Sequence, residues 1–250
     1  NSFTDSAASK AVTANGNAAQ TTAQSKLGGN SAIFDGNGDY LSLADSDDWN
    51  FGSGDFTIDC WVRLNSLAAV NAIVSQYVSG GNDWILYTQG DGSVRFYAGG
   101  GTIVDMTSAS SAVTTNTWYH IAVVRYGNSW AIYKDGVSIA TSSATGTMPD
   151  YASPLYVGAY NPPTYSFDGW IDELRISKGI SRWTSDFTPP SSPYGKVATV
   201  TSQKKLGTAS GEFKGSGEYL SLADSADWNF GTGDFTIDFW VRFNDITPYQ

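Results

Sequence analysis

The feature that most constrains this chain is an internal repeat. About 27 of the 38 residues in the segment 27–64 recur in the segment 206–243, at an offset of about 179 residues. A near-copy at a fixed offset is typical of tandem modules. We therefore predict a first module over residues 1–188, a linker over residues 189–205 and the truncated start of a second module over residues 206–250.

The predicted linker opens with the tract Pro189-Pro190-Ser191-Ser192-Pro193, which proline stiffens and keeps out of a sheet. The second copy holds too few strands to bury a core alone. We expect it to be completed either by further polypeptide or by a neighbouring subunit that adds strands to it. Self-association or neighbouring subunits are therefore predicted partners.

A period of two residues dominates the repeated segment. Phe56, Ile58, Cys60 and Val62 alternate with Thr57, Asp59, Trp61 and Arg63. Strands have this period and helices do not. The chain also contains 27 glycines and 14% aromatic residues, which suits many short strands joined by turns. We predict an all-β fold, a two-sheet antiparallel sandwich followed by a partial second copy.

Other segments support this fold. Residues 118–126 are apolar on both faces, which predicts a central strand covered on both sides. Asp135 and Gly136 supply the positive φ of a type I′ turn between predicted strands on either side. Ser46 or Asp45 is predicted to cap a helical turn that includes Trp49. Further strands are predicted at residues 73–76, 84–88, 94–97, 155–158 and 170–177.

Composition excludes several classes of partner. The formal net charge is −10, whereas nucleic-acid binding requires a basic stripe. No apolar run approaches the ~18 residues that span a bilayer. The single cysteine, Cys60, is replaced by Phe239 in the second copy, which predicts a buried hydrophobic role. We predict neither a nucleic-acid partner nor membrane insertion.

Several segments together resemble one family. They are Phe34-Asp35-Gly36, Gly38-Asp39-Tyr40-Leu41, Asp55-Phe56-Thr57-Ile58 with Trp61-Val62, Trp118-Tyr119-His120-Ile121-Ala122, Tyr133-Lys134-Asp135-Gly136 and Gly169-Trp170-Ile171-Asp172-Glu173-Leu174-Arg175-Ile176. In this order they resemble the laminin-G-like, concanavalin A-like jelly-roll family over roughly residues 31–190. The resemblance implies a jelly-roll sandwich, often with a structural calcium ion, used for binding or as a spacer. The ending of the module is similar to modules of phage virion and tail proteins.

The calcium ion that the resemblance implies has candidate ligands. Asp35 and Asp39 lie in a glycine-rich loop with hard oxygen donors, and in a jelly roll the strand that contains Asp172 can run near that loop. The alternative is that residues 35–39 form only a hairpin turn, since Lys214 stands at the Asp35 position in the second copy.

Glycosidases share the concanavalin A-like fold, so glycoside hydrolysis is an alternative function. It needs two carboxylates roughly 5–9.5 Å apart. Asp172 and Glu173 point to opposite faces of a strand, and Asp55 and Asp59 lie about 13 Å apart. Pairing with Arg63 explains Asp59, and the only histidine, His120, is interpreted as a core residue. We predict that the chain is not an enzyme.

Carbohydrate binding is a further alternative. Tyr77, Trp84, Tyr160 and Tyr165 lie beside turns rich in Gly, Asn or Pro, where loops often carry function. These aromatic rings could stack on a glycan of a cell surface, or could instead cap the core or stack on proline. The repeat and the stiff linker favour a third interpretation, a non-catalytic structural or adhesion module of a virion or extracellular fibre. The predicted location is therefore a virion or an extracellular surface.

Overall fold

Two units make up the chain. The computed structural model describes residues 3–5, 10–194, 198–200, 210–212, 236–237 and 239–242. The units are Asn1–Pro193 and Tyr194–Gln250. In the second unit, a strand at Ala198–Val200, within the predicted linker, pairs antiparallel with one at Ser210–Glu212. Most of the second copy, including Lys214, lies outside the described residues, so the predicted extent of that module stays a prediction.

The first unit is built from short strands. They are β1 (Val12–Asn15), β2 (Ala19–Thr21), β3 (Ser31–Asp35), β4 (Tyr40–Leu43), β5 (Phe56–Leu64), β6 (Asn71–Val78), β7 (Asn82–Thr88), β8 (Val94–Ala98), β9 (Val104–Thr107), β10 (Trp118–Tyr126), β11 (Ser129–Lys134), β12 (Val137–Ser143), β13 (Leu155–Val157) and β14 (Asp168–Lys178). A 3-10 turn at Asp47–Trp49 follows β4.

The strands form two antiparallel sheets of seven strands each. The first sheet has the order β1-β4-β13-β6-β7-β8-β9, and the second has the order β12-β11-β10-β5-β14-β3-β2. Their facing sides enclose one large hydrophobic core. The prediction of a two-sheet antiparallel jelly-roll sandwich is confirmed.

Strand β5 shows how the sequence produces this sandwich. Phe56, Ile58, Cys60, Val62 and Leu64 are fully buried and belong to the core between the sheets. They alternate with residues on the outer face because successive side chains of a strand point to opposite sides. The predicted alternation and the predicted buried role of Cys60 are both confirmed.

The outer face of the second sheet is covered by the segment that follows β14. We call residues 179–190 the strap. In β10, Ile121 and Val123 point into the core, while the next residues along the strand point outward and pack beneath the strap. The cluster under the strap consists of Ala122, Val124, Ala131, Tyr133, Trp183 and Phe187. The predicted central strand with two covered faces is confirmed.

Two predicted turns are also confirmed. Asp135 and Gly136 join β11 to β12 with φ values of 50° and 82°, as a type I′ turn requires. A Cβ at Gly136 would lie 1.7 Å from the carbonyl oxygen of Phe187, so glycine here permits the close approach of the strap. Ser46 caps the 3-10 turn, its side chain accepting a hydrogen bond from the backbone N–H of Asp48.

Strands β1 to β4 and β9 were not predicted as strands. Each has only three to five residues, too few for a period of two to stand out. Within the part of the chain that the structure describes, no helix is long and apolar enough to cross a membrane.

Candidate functional site

Tyrosines cluster on the outer face of the first sheet. Strand β7 turns Trp84 and Leu86 into the core, and therefore turns Ile85 and Tyr87 outward. The loop between β13 and β14 crosses this outer face, where the backbone N–H of Ala72 donates to the carbonyl of Tyr165 at 3.3 Å. We call the resulting surface the tyrosine face. It consists of Tyr77, Tyr87, Tyr97, Tyr160 and Tyr165.

Tyr160 lies at the centre of the tyrosine face. Its ring centroid is 4.8 Å from that of Tyr77, at an interplanar angle of 75°. It is 5.9 Å from that of Tyr165, at 44°. Tyr165 is 53% exposed, so the cluster presents an open aromatic ring beside two partly buried ones.

A buried carboxylate lies beneath these rings. Asp83 is only 2% exposed, and it accepts hydrogen bonds from the Tyr160 hydroxyl and from the backbone N–H of Gly100 at 2.9 Å. The hydroxyl of Tyr97 lies 3.4 Å from Asp83 and 3.2 Å from the hydroxyl of Tyr160. This network fixes the orientation of the two phenols.

Three phenols of the face, those of Tyr160, Tyr97 and Tyr87, stay protonated because their pKa values are raised. Burial raises the pKa of Tyr160, and its hydrogen bond to Asp83 raises that pKa further. Burial also raises the pKa of Tyr97 and that of Tyr87. Neutral phenols can both donate and accept hydrogen bonds, so the face offers hydroxyl groups rather than charge.

Arg95 is the cation of this surface, and it is already neutralised. Its guanidinium donates to both carboxylate oxygens of Asp105, at 2.8 Å and 2.6 Å. A third hydrogen bond runs to the hydroxyl of Tyr87 at 2.7 Å. The bonds to Asp105 raise the pKa of Arg95. This fork geometry leaves the arginine little capacity for an anionic ligand.

The structure brings together Tyr77, Tyr160 and Tyr165, three of the four residues predicted to contact a glycan. The fourth prediction, Trp84, is wrong. Its side chain is 0% exposed, and its Nε1 donates to Gln76 at 2.8 Å inside the sandwich. A ring buried in this way cannot stack on a surface ligand. It sits beside a turn in sequence, but the register of β7 directs it inward.

Sequence reasoning missed Tyr87, Tyr97, Asp83 and Arg95. The signal that could have found them is alternation, because residues 83, 85 and 87 share one face of β7 and residues 95 and 97 share one face of β8. Once the core-facing residues of β7 and β8 are assigned, the residues between them must face outward.

The predicted calcium ligands do not form a site. The register places Asp168, not Asp172, opposite Asp35, so the third ligand lies about 13 Å further along the strand. Asp39 instead accepts hydrogen bonds from the backbone N–H groups of Asn17 and Asp35. In the described ranges, no group of three or more His, Cys, Asp or Glu side chains could hold a metal ion. The residues present therefore do not fit the calcium ion that the fold family implies.

Asp172 lies within β14, opposite Trp61 of β5, and its carboxylate already has partners. It accepts hydrogen bonds from the backbone N–H groups of Lys26 and Leu27, at 2.8 Å and 3.0 Å. Burial raises the pKa of this carboxyl group. Its hydrogen bonds hold the chain that leads into β3, which is a structural role.

Asp59 has a different partner from the one predicted. It forms a bidentate pair with Arg175, with both N–O distances at 3.0 Å, and lies 3.3 Å from His120 Nε2. The predicted pairing with Arg63 is wrong, because residues four apart on a strand lie about 13 Å from each other. Arg63 lies over the Trp170 ring at 4.8 Å instead. His120 is fully buried, as a core residue.

A family model described as Laminin_G_3, concanavalin A-like lectin/glucanases superfamily, matches residues 35–181. The chain belongs to this superfamily. The resemblance inferred from the sequence motifs is therefore confirmed.

Solved structures share the fold of this superfamily member. The binding domain of Paraclostridial Mosquitocidal Protein 1 matches with a TM-score of 0.56 and 16% identity, over 69% of this chain and 45% of that chain. The present chain thus spans less than half of that protein domain. Domain 4 of AbnA, a GH43 extracellular arabinanase from Geobacillus stearothermophilus in complex with arabinotriose, matches with a TM-score of 0.51 and 18% identity, over 71% of this chain and 87% of that one. No curated protein sequence matches the chain.

Proposed function

We propose that the first module is a non-catalytic carbohydrate-binding module and that the tyrosine face is its binding surface. The observation that carries this proposal is the cluster of Tyr77, Tyr160 and Tyr165, in which the open Tyr165 ring lies beside Tyr160. Tyrosine combines an apolar ring with a polar hydroxyl. A sugar presents the same combination, apolar C–H faces with hydroxyl groups at their edges.

The face is suited to a ligand without charge. Its arginine is engaged by Asp105, and Asp83 lies buried beneath the phenols. An anionic sugar placed here would face a buried carboxylate with no available cation among the residues of the face. A neutral oligosaccharide would meet ring faces, hydroxyl groups and an arginine that is already paired with Asp105, so we infer that neutral sugars are preferred.

Other proteins support this use of the fold. The arabinanase domain named above is described in complex with arabinotriose, so a sandwich of this architecture accommodates an oligosaccharide elsewhere. We infer from this likeness that the module acts outside the cell, where oligosaccharide ligands are displayed. The superfamily also includes glucanases, so membership alone does not decide between binding and catalysis.

A binding role without catalysis agrees with the state of three of the buried carboxylates. Asp59 is paired with Arg175, Asp83 holds Tyr160 and Gly100, and Asp172 holds Lys26 and Leu27. Each is saturated by donors that the fold itself requires. A general acid or base must be able to exchange a proton with substrate, and these three carboxylates are committed to structure.

Nuclear magnetic resonance titration of the labelled protein tests the proposal. The neutral probes are maltohexaose, cellohexaose and xylohexaose. A heparin hexasaccharide is the anionic probe. At least one neutral probe is expected to shift the amides of Gly100 and Tyr165, and Tyr165→Ala should weaken that binding about 10-fold. Val137→Ala, an exposed apolar control on the opposite sheet, should leave it unchanged.

Two results would contradict the proposal in different ways. If none of the four probes shifts Gly100 and Tyr165, the face is not a carbohydrate site. If the heparin hexasaccharide binds there and Tyr165→Ala weakens that binding, the face binds carbohydrate but the inferred preference for neutral sugars is wrong.

The internal repeat supports a second function, as a structural or adhesion unit of a virion or extracellular fibre. Tandem modules space or display binding surfaces along an assembly. The two functions are compatible, since a fibre can present a carbohydrate site on each module. Analytical ultracentrifugation and negative-stain images of the chain discriminate them, because a fibre unit should self-associate whereas an isolated binding module should sediment as a monomer.

A further inference from the structure

A groove of about 560 Å³ lies on the outer face of the second sheet, beside the strap. Residues of β10, β11 and β12 line it on one side, and strap residues 183–186 line it on the other. It lies on the sheet opposite to the tyrosine face, and the function proposed above does not use it. Its volume falls within the range of small-molecule sites in proteins, roughly 300–1,000 Å³.

Aromatic side chains form walls of the groove. Tyr126 is 58% exposed. Trp183 is held in place on the strap by Phe187, with ring centroids 3.8 Å apart and planes 4° from parallel. Tyr133 is buried at the base, and this burial raises the pKa of its phenol. The groove therefore offers one open ring and two that the fold fixes.

Hydroxyl groups surround these rings. Besides the two tyrosines, six serine and threonine residues belong to the lining, namely Ser129, Ser138, Thr141, Ser142, Thr184 and Ser185. Among the described residues, none of these six hydroxyls forms a side-chain hydrogen bond within the protein. By contrast, hydroxyls elsewhere under the strap are used by the fold: Thr57 donates to Ile180 at 2.8 Å, and Ser177 accepts from Arg182 at 2.8 Å.

The groove carries almost no charge. Asp186 is the only ionisable carboxylate or cation in its lining, and one of its oxygens accepts a hydrogen bond from the backbone N–H of Ser138 at 3.0 Å. An ionic ligand would find no opposite charge to pair with. A ligand that donates and accepts many hydrogen bonds without charge would match the lining.

We propose that this groove is a second carbohydrate-binding site, which accepts a short neutral oligosaccharide. Hydroxyl groups both donate and accept, as sugar hydroxyls do, and the Tyr126 ring supplies an apolar surface for a sugar ring. With the tyrosine face on the opposite sheet, one module would bind two oligosaccharides and link them. The groove site stands on its own residues and does not require the tyrosine face to bind carbohydrate.

Amide shifts of the labelled full chain test this site, with maltohexaose, cellohexaose and xylohexaose as separate probes. At least one is expected to shift Ser129, Ser138 and Thr141. Tyr126→Ala removes the open ring and should weaken that binding about 10-fold. Thr141→Trp fills the groove from the exposed edge strand and should abolish it. Val137→Ala, 55% exposed and outside the groove lining, should have no effect.

The same titration separates this site from the tyrosine face. Tyr165→Ala should leave the shifts at Ser129 and Thr141 intact. Absence of groove shifts with all three probes overturns the proposal, whatever Gly100 and Tyr165 report. Groove shifts that survive both Tyr126→Ala and Thr141→Trp, with unchanged melting temperatures for both variants, also overturn it.

Discussion

Each sheet of the sandwich holds a buried aspartate on its outer side, and the two are satisfied in opposite ways. Asp59, under the strap, is paired with the guanidinium of Arg175 and contacts His120. Asp83, under the tyrosine face, is held by phenol hydroxyls and a backbone N–H. Beneath the covered face Asp59 is neutralised by a charged partner, whereas beneath the open tyrosine face Asp83 is held by neutral hydroxyl and amide groups.

The largest expected effect comes from removing the cation of the covered face. Arg175→Ala leaves Asp59 buried without its bidentate partner and should lower the free energy of unfolding by about 3–5 kcal/mol. Urea denaturation measures this. Arg63→Ala, which removes an arginine that lies over Trp170, is the matched control and should cost about 1 kcal/mol or less. Equal losses would mean that Asp59 does not depend on its charge partner.

The open face is tested by Tyr160→Phe. This variant keeps the ring but removes the hydroxyl that donates to Asp83, and should cost about 1.5–3 kcal/mol, as for other hydrogen bonds to charged groups. Thermal denaturation monitored by circular dichroism measures it. Tyr165→Ala is the control, since this exposed side chain should change stability by no more than about 0.5 kcal/mol. If Tyr160→Phe leaves the thermal stability unchanged, Asp83 does not need the hydrogen bond from the phenol.

Gly136→Ala tests the attachment of the strap. The added Cβ would clash with the Phe187 carbonyl oxygen, and alanine would have to keep the left-handed φ of Gly136. We therefore expect the free energy of unfolding to fall by about 1–3 kcal/mol and proteolysis of the strap to become faster. Gly127→Ala has a similar positive φ but open space around its Cβ, and controls for backbone strain. If both variants are cleaved at the wild-type rate, the strap does not depend on this close approach.

A smaller, pH-dependent effect is expected at Asp172. Burial raises its pKa in the folded state, so the folded protein binds the proton more tightly than the unfolded chain. Stability from this group is therefore fully present below the unfolded pKa of about 3.9 and falls as the pH rises through the raised pKa. Asp172→Asn should be at least as stable as the wild type at pH 7. Any excess stability of the variant over the wild type should vanish near pH 3, which urea denaturation at both pH values measures. A difference that grows on acidification would reverse the assigned sign.

The smallest expected effect is that of calcium. Since Asp39 and Asp172 are committed to backbone N–H groups, adding calcium or a chelator should leave the melting temperature unchanged. Scanning calorimetry with each addition measures this. A clear rise with calcium would show that carboxylates in these loops rearrange to bind it.

The sequence allowed the central strands to be predicted because their patterns are long. The nine residues of β5 alternate, and the nine residues of β10 are apolar on both faces, so each pattern stands out. The short edge strands offer no such signal. The pairing of Asp59 with Arg175 joins residues far apart in sequence, and no local pattern indicates it.

The candidate site was only partly predictable for a related reason. Tyr160 and Tyr165 were found because they lie near glycine- and proline-rich turns. Trp84 satisfied the same criterion and is a core residue, because proximity to a turn does not determine which face a side chain occupies. The groove beside the strap had no signature in the sequence, since its walls come from three strands and a segment about 50 residues later.

The contact at Gly136 also makes one part of the strap depend on a hairpin. Asp186 and Phe187 of the strap are attached to Ser138 and Gly136, and both partners belong to the hairpin of β11 and β12. These two hydrogen bonds cannot form in their native geometry until that hairpin has closed. Native-state hydrogen exchange at the Phe187 amide should therefore never be slower than exchange at the amides that join those two strands.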